Sequence, residues 1–307
     1  MARNSSFTDN FLDNATNDET KKLFAQNPLY DPYYIATASI KDRKEKVHKI
    51  WQKYKPYANE HFLKEYKLNG NFHARTWEMY LGATLASHGL NIKTSKKDDW
   101  PDFIVNNSIY IECTACQNAE TEEKPDFVPA VKYNGTVQNV PENKMIMRIT
   151  SAIRAKHRDY NKHLEKGDIE SNTPFILAVN SAALGYTQSG VFPIIYKVLF
   201  GIHHPVVYYK REGLSVKRVG FDITTRKQMY KYDEKKKAPI DLNLFLTDKY
   251  KEISAIIFCS NNITNAPEKL GDDCLFIPNP HAKNPIDPKM YSFFKQPEDV
   301  KSTINII

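Results

Sequence analysis

Glycine is scarce in this chain, with 11 residues among 307, well below the usual ~7%. Loops that cradle phosphates with backbone N–H groups need glycine, and the sequence holds neither a Walker loop nor a dinucleotide fingerprint. ATPase, GTPase and Rossmann readings are disfavoured on that ground. Cysteine is scarce too: four residues do not make a disulfide scaffold in a chain of this length. Long apolar runs are missing. The longest, Val191 to Ile202, is broken by Lys197 and falls short of the ~20 residues a membrane span needs. Met1-Ala2-Arg3-Asn4-Ser5-Ser6 leads into no apolar h-region, so no secretory signal is expected. These absences imply a soluble protein, a reduced cytoplasmic setting and no membrane partner. There is also no H-E-x-x-H and no G-x-S-x-G elbow.

What is present is an ordinary globular composition: 41% apolar, 26% charged, a net charge of +7 and a mean hydropathy of −0.57. The length suits one large domain or two smaller ones. Residues 1–37, rich in Asn, Asp and Tyr, read as a loosely structured arm with short helical pieces. A basic helix is expected from Ile40 to Tyr54, a second near Asn59 to Tyr66, and a third from Phe72 to His88 stopped by Gly89. The period then changes to two. Ile92–Thr94, Asp102–Val105 and Ile109–Thr114 read as strands, the last two joined by a tight turn at Asn106-Asn107-Ser108. Residues 117–142 read as a long loop and Lys144–Glu165 as a helix. Phe175–Val179 reads as a strand buried on both faces. Further on, Val191–Phe200 reads as a helix and Val206–Tyr209, Ser254–Cys259 and Leu275–Ile277 as strands.

In a strand, residues two apart share a face. Tyr110, Glu112 and Thr114 point one way, Ile109, Ile111 and Cys113 the other. Folding back at Asn106–Ser108 brings Asp102 opposite or diagonal to Glu112. Two such carboxylates either face solvent or share a divalent cation. Ala74, Glu78, Leu81 and Leu85 lie on one helix face, so Glu78 falls among residues expected to be buried. It is a third ligand, a water-positioning acid, or a salt-bridge partner of Arg75. Lys156 falls on the apolar stripe of Ile149, Ile153, Tyr160 and Leu164, where it either snorkels or sets an ammonium beside the carboxylates. Cys113 and Cys116 form a C-x-x-C, with Cys259 and Cys274 far downstream. They are half a zinc site with stray ligands, or simply four buried thiols.

Trp100-Pro101-Asp102-Phe103-Ile104-Val105 followed by Ile109-Tyr110-Ile111-Glu112-Cys113-Thr114 resembles the P-D…(D/E)-x-K signature of the restriction-endonuclease-like nucleases. The resemblance spans about residues 70–180. It implies an α/β fold with an αβββαβ core, a mixed sheet flanked by helices, and N- and C-terminal additions. The implied organisation is an N-terminal arm with basic helices over 1–69 and an α/β domain over 70–307, its core at 70–180 and an extension at 181–307. It also implies a metal-dependent nuclease. Asp102 and Glu112 would be the ligands to Mg²⁺ (or Mn²⁺), and Glu78 the acid from the first helix. The family's lysine falls on Thr114, and Lys156 is the cation that would replace it, with Gln117 a weaker substitute. If neither serves, the fold binds without cutting.

Three basic segments, 41–55, 144–166 and 226–237, are either solvated faces or a nucleic-acid footprint that does not itself separate DNA from RNA; the partner expected is nucleic acid, DNA before RNA. Arg148, Lys231 and Lys235 come from the last two, and Tyr230 and Tyr232 interleave with cations as stacking would require. Asn180, at a strand end, is a further candidate for substrate contact, as are Asn261 and Asn262. Two rivals stand beside the nuclease: a non-catalytic nucleic-acid-binding or scaffold protein on the same fold, and a hydrolase using these carboxylates on a small substrate.

Overall fold

A computed structural model describes residues 31–38, 40–94, 100–132, 134–186, 192–233 and 236–297. Over them the chain is an α/β protein with a mixed sheet flanked by helices. It begins with helices α1 (Pro32–Ala38), α2 (Lys41–Tyr54), α3 (Phe62–Lys67) and α4 (Phe72–Ser87). Strands β1 (Ile92–Lys93), β2 (Phe103–Val105) and β3 (Ile109–Ala115) follow. Helix α5 (Glu142–Lys166) then leads to β4 (Phe175–Asn180), and α6 (Ile194–Leu199) comes next. Four strands stand apart from the main sheet: β5 (Ile202–Glu212), β6 (Ser215–Thr225), β7 (Gln228–Asp233) and β8 (Lys236–Asp241). β9 (Ile253–Cys259) and β10 (Leu275–Pro278) complete the six-stranded sheet, whose order is β1-β2-β3-β4-β9-β10. β3, β4 and β9 run parallel; β1, β2 and β10 are antiparallel to their neighbours.

Local chemistry explains the elements that place the later site. Asn106 and Asn107 both take positive φ, 49° and 58°, the double left-handed turn that suits a right-twisted hairpin and that Asn tolerates. The register Val105↔Ile109, Ile104↔Tyr110, Phe103↔Ile111 follows. Helix α5 ends at Gly167, whose φ of 76° is the left-handed cap glycine supplies. α4 is buried continuously from Thr76 to Leu85, because its sequence is apolar nearly all round. Glu78 is therefore not marked out by an inward stripe, as the spacing suggested; every side of that stretch is covered.

The sheet divides two hydrophobic clusters. Ile111, Cys113, Ile176 and Ile257 pack with α2, α3 and α4. Leu177, Val179, Ile256 and Phe258 pack with α5 and α6. Trp51 and Tyr54 of α2 and Phe62 and Tyr66 of α3 belong to the first cluster, so the boundary placed at residue 69 runs through one core. Likewise β9 and β10, from the segment read as an extension, pair directly with β4 and with each other. The expected elements are found to within a few residues, except that β5 is far longer than Val206–Tyr209 and α6 starts only after Pro193. Strands β6, β7 and β8 had no counterpart among the elements expected from sequence. Their side chains are largely polar, so alternation gives little signal. No helix among the described residues is long and apolar enough to cross a membrane.

Candidate active site

β2 begins at Phe103, and just before it side chains replace the ladder. The Asp102 N–H donates to Glu112 Oε2 at 3.3 Å, and the Cys113 N–H donates to Asp102 Oδ2 at 2.7 Å. The hairpin register thus sets the two carboxylates against each other. Glu112 pairs with Leu177 of β4, whose side chain lies on the α5 side, and cross-strand partners share a face. From α5, Lys156 Nζ donates to Glu112 Oε1 at 2.5 Å. Thr114 is half-buried, so the cation beside this acid pair comes from the helix and not from β3.

On the other side of the sheet α4 contributes Glu78. Tyr54 OH donates to its Oε1 at 2.7 Å, and Arg75 Nη1 to its Oε2 at 2.6 Å. Arg75 also pairs with Glu65. Tyr54 reaches Glu78 because α2 crosses α4 at Gly82, where a Cβ would lie 2.5 Å from the Tyr54 ring. The ion pair with Arg75 is one of the alternatives the helix spacing left open. Tyr54 was not foreseen, since only the helix crossing brings it there.

The electrostatics follow from crowding of like charge out of water. Burial, then the charge of Glu112, pushes the Asp102 carboxyl up to about 7, against the Cys113 N–H and Lys156. Burial also raises Glu112, with Lys156 opposing. Burial, then the charge of Asp102, pushes Glu78 up to about 7, against Arg75 and Tyr54. Burial would lower the Lys156 ammonium, but Glu112 and Asp102 hold it above its ordinary value. Three carboxylates (Glu78, Asp102, Glu112) face two cations (Arg75, Lys156), so full ionisation leaves the group negative. Such a group attracts a cation with oxygen preference. Asp102 and Glu112 are the residues that would hold one. Glu78, Asp102 and Glu112 do not all bring an oxygen within 4.8 Å of one another; among the described residues the trio that meets that distance is Cys259, Asp273 and Cys274.

The other candidates are placed differently. Arg148 Nη1 and Lys231 Nζ converge on buried Asp126, at 2.9 and 2.8 Å, and their hydrogen bonds lower its carboxyl although burial would raise it. Together they pin the 117–142 loop to α5 and β7. Gln117 is exposed, its carbonyl accepting from Arg148 Nε at 2.7 Å. Asn180 is buried at the end of β4; its Nδ2 donates to the Asn261 carbonyl at 3.2 Å and its Oδ1 accepts from the Ala182 N–H. Lys235 lies outside the described residues. Cys113 and Cys116 are both buried and are not part of the trio just named. No family model, curated protein or solved structure matches this chain.

Proposed function

We propose that this chain is a metal-dependent nuclease of the restriction-endonuclease-like kind, hydrolysing phosphodiester bonds of DNA. The observation that carries the reading is the Lys156–Glu112 contact opposite Asp102. An acid–acid–lysine trio is assembled although the motif position of the lysine is Thr114. The order α4, β1–β3, α5, β4, with β4 parallel to β3, supports the same reading.

The donor set fits Mg²⁺ or Mn²⁺: two adjacent carboxylates, each held above its ordinary pKa, with oxygen atoms that a hard cation prefers. In an extended strand the N–H and C=O of one residue leave on the same side, so the Cys113 carbonyl faces the edge where its N–H meets Asp102. A cation bound at Asp102 and Glu112 would polarise a phosphoryl oxygen and lower the pKa of a bound water. Lys156 places positive charge where an attacking water or a phosphate oxygen would lie, and stabilises the charge that develops there. Glu78, gripped by Tyr54 and Arg75, fixes Arg75 and the helix beside Asp102; it acts as a positioning residue.

The test is cleavage of plasmid DNA, single-stranded DNA and RNA with Mg²⁺, Mn²⁺ or EDTA. Metal-dependent cutting that is lost in Asp102→Ala and Glu112→Ala is the expected result. Binding of nucleic acid without cutting under any condition would select the non-catalytic reading instead, which Thr114 at the motif's lysine position favours. Turnover of small phosphoesters alone would select the small-substrate hydrolase.

A further inference from the structure

Cys259 ends β9 and Cys274 directly precedes β10. The pairing Phe258↔Leu275 sets the two cysteines opposite each other, and both are buried as free thiols. Asp273 sits against both. Its Oδ2 is 3.5 Å from Cys259 Sγ and its Oδ1 is 3.6 Å from Cys274 Sγ. Among the described residues no other three His, Cys, Asp or Glu side chains bring their donor atoms within 4.8 Å of one another.

The spacing has a simple reading. A tetrahedral zinc ion with Zn–S of about 2.3 Å and Zn–O of about 2.1 Å has S···O edges of about 3.6 Å. Each sulfur lies at about that edge from one Asp273 oxygen, Cys259 from Oδ2 and Cys274 from Oδ1, and one donor atom from each residue lies within 4.8 Å of the other two. Surrounding groups hold the donors in place, as the second layer of a metal site does. Tyr80 OH donates to Asp273 Oδ1 and Asn261 Nδ2 donates to Oδ2 at 3.2 Å. The Asn261 N–H points at Cys259 Sγ from 3.4 Å, and the Gly271 N–H donates to the Tyr80 oxygen at 3.0 Å.

We propose that Cys259, Asp273 and Cys274 form a binding site for one thiophilic divalent ion of the zinc class. Asp273 also lines a cavity with Trp77, Tyr80, Asn180 and Asn261. On binding, two S–Zn bonds and one O–Zn bond form, each thiol gives its proton to solvent, and no electron is transferred. Thiolate donors select such an ion over Mg²⁺. The site is therefore chemically distinct from the Asp102–Glu112 pair and does not depend on the nuclease reading. It ties the end of β9 to the start of β10, with Tyr80 of α4 attached through Asp273.

The test uses the full chain, stripped with a chelator and titrated with Zn²⁺ against a chromophoric competitor, then with Co²⁺. The expected result is one equivalent of zinc and a near-ultraviolet sulfur-to-cobalt band. Both are lost in Cys259→Ser and Cys274→Ser, and both are unchanged in Asp102→Ala. Tyr80→Phe weakens zinc binding by about 10–100-fold. A readout on the unmutated chain guards against misfolded variants: zinc slows alkylation of Cys259 and Cys274, mapped by mass spectrometry, and leaves Cys113 and Cys116 unaffected. Absence of stoichiometric zinc, retention of zinc by the serine variants, or a Cys259–Cys274 disulfide forming in the presence of equimolar zinc would each overturn the proposal.

Discussion

Lys156 and Asp102 make opposite demands at the scale of single residues. Asp102 titrates near 7 when folded and near an ordinary value of about 3.9 when unfolded. Between those values the folded state holds more protons than the unfolded state, so this group's contribution to stability falls as pH rises. Asp102→Asn should therefore gain on the wild type in melting temperature from about pH 4 to about pH 7 in the presence of EDTA. A flat difference across that range would contradict the burial of this charge. Lys156→Ala removes the ammonium from Glu112; on the nuclease reading, cleavage should fall by about 10²–10³-fold, the usual loss for one transition-state donor. Tyr54→Phe deletes a buried bond to a carboxylate and should cost about 1.5–3 kcal/mol by denaturant unfolding. Lys156 beside Glu112 was one of the two alternatives its helix stripe left open, while Asp102 and Glu112 could be placed together from the sequence because a local period and one short turn join them. Tyr54 and Asp126 could not. Tyr54 reaches Glu78 only through a helix crossing, and Asp126 gathers Arg148 and Lys231 from a loop without periodicity.

Among the elements, the α2–α4 crossing rests on Gly82. In Gly82→Ala the new methyl meets Tyr54 and Phe103, and overpacking of this kind costs about 1–3 kcal/mol. Unfolding curves would show it, and the Tyr54–Glu78 bond should weaken with it. The β5–β6 ribbon is a contrasting element. Tyr208, Tyr209, Leu214, Val216 and Val219 are exposed on it, among the exposed cations Lys210, Arg211 and Lys217. A two-stranded ribbon fits a nucleic-acid groove. On the nuclease reading, replacing those three cations by Ala should flatten the salt dependence of DNA affinity by about 0.9 for each phosphate that is no longer neutralised. Melting temperature should hardly move. Helices α2 and α5 were readable because burial imprints a period on them, whereas α4 and strands β4 and β9, buried on all sides, were readable as continuous apolar runs. The ribbon was not, since few of its side chains are buried.

For the molecule as a whole, the stretch 70–180 is not a unit that stands alone. β4 is buried along its whole length and pairs with β9 on the side away from β3. A fragment ending at residue 186 would leave that strand as an apolar edge. It should be insoluble or lack a cooperative transition by circular dichroism. The partners in the β4–β9 pair are almost 80 residues apart in the chain, and the β5–β8 hairpins lie inside that interval. The pairing at the centre of the sheet is thus the closure of a long loop, while the hairpins within it close over short distances and can form first. Closure entropy grows only with the logarithm of loop length, by about 0.6 kcal/mol per doubling. Natural lengthening or trimming of the ribbon would therefore alter what the molecule reaches for while scarcely altering how readily its sheet assembles.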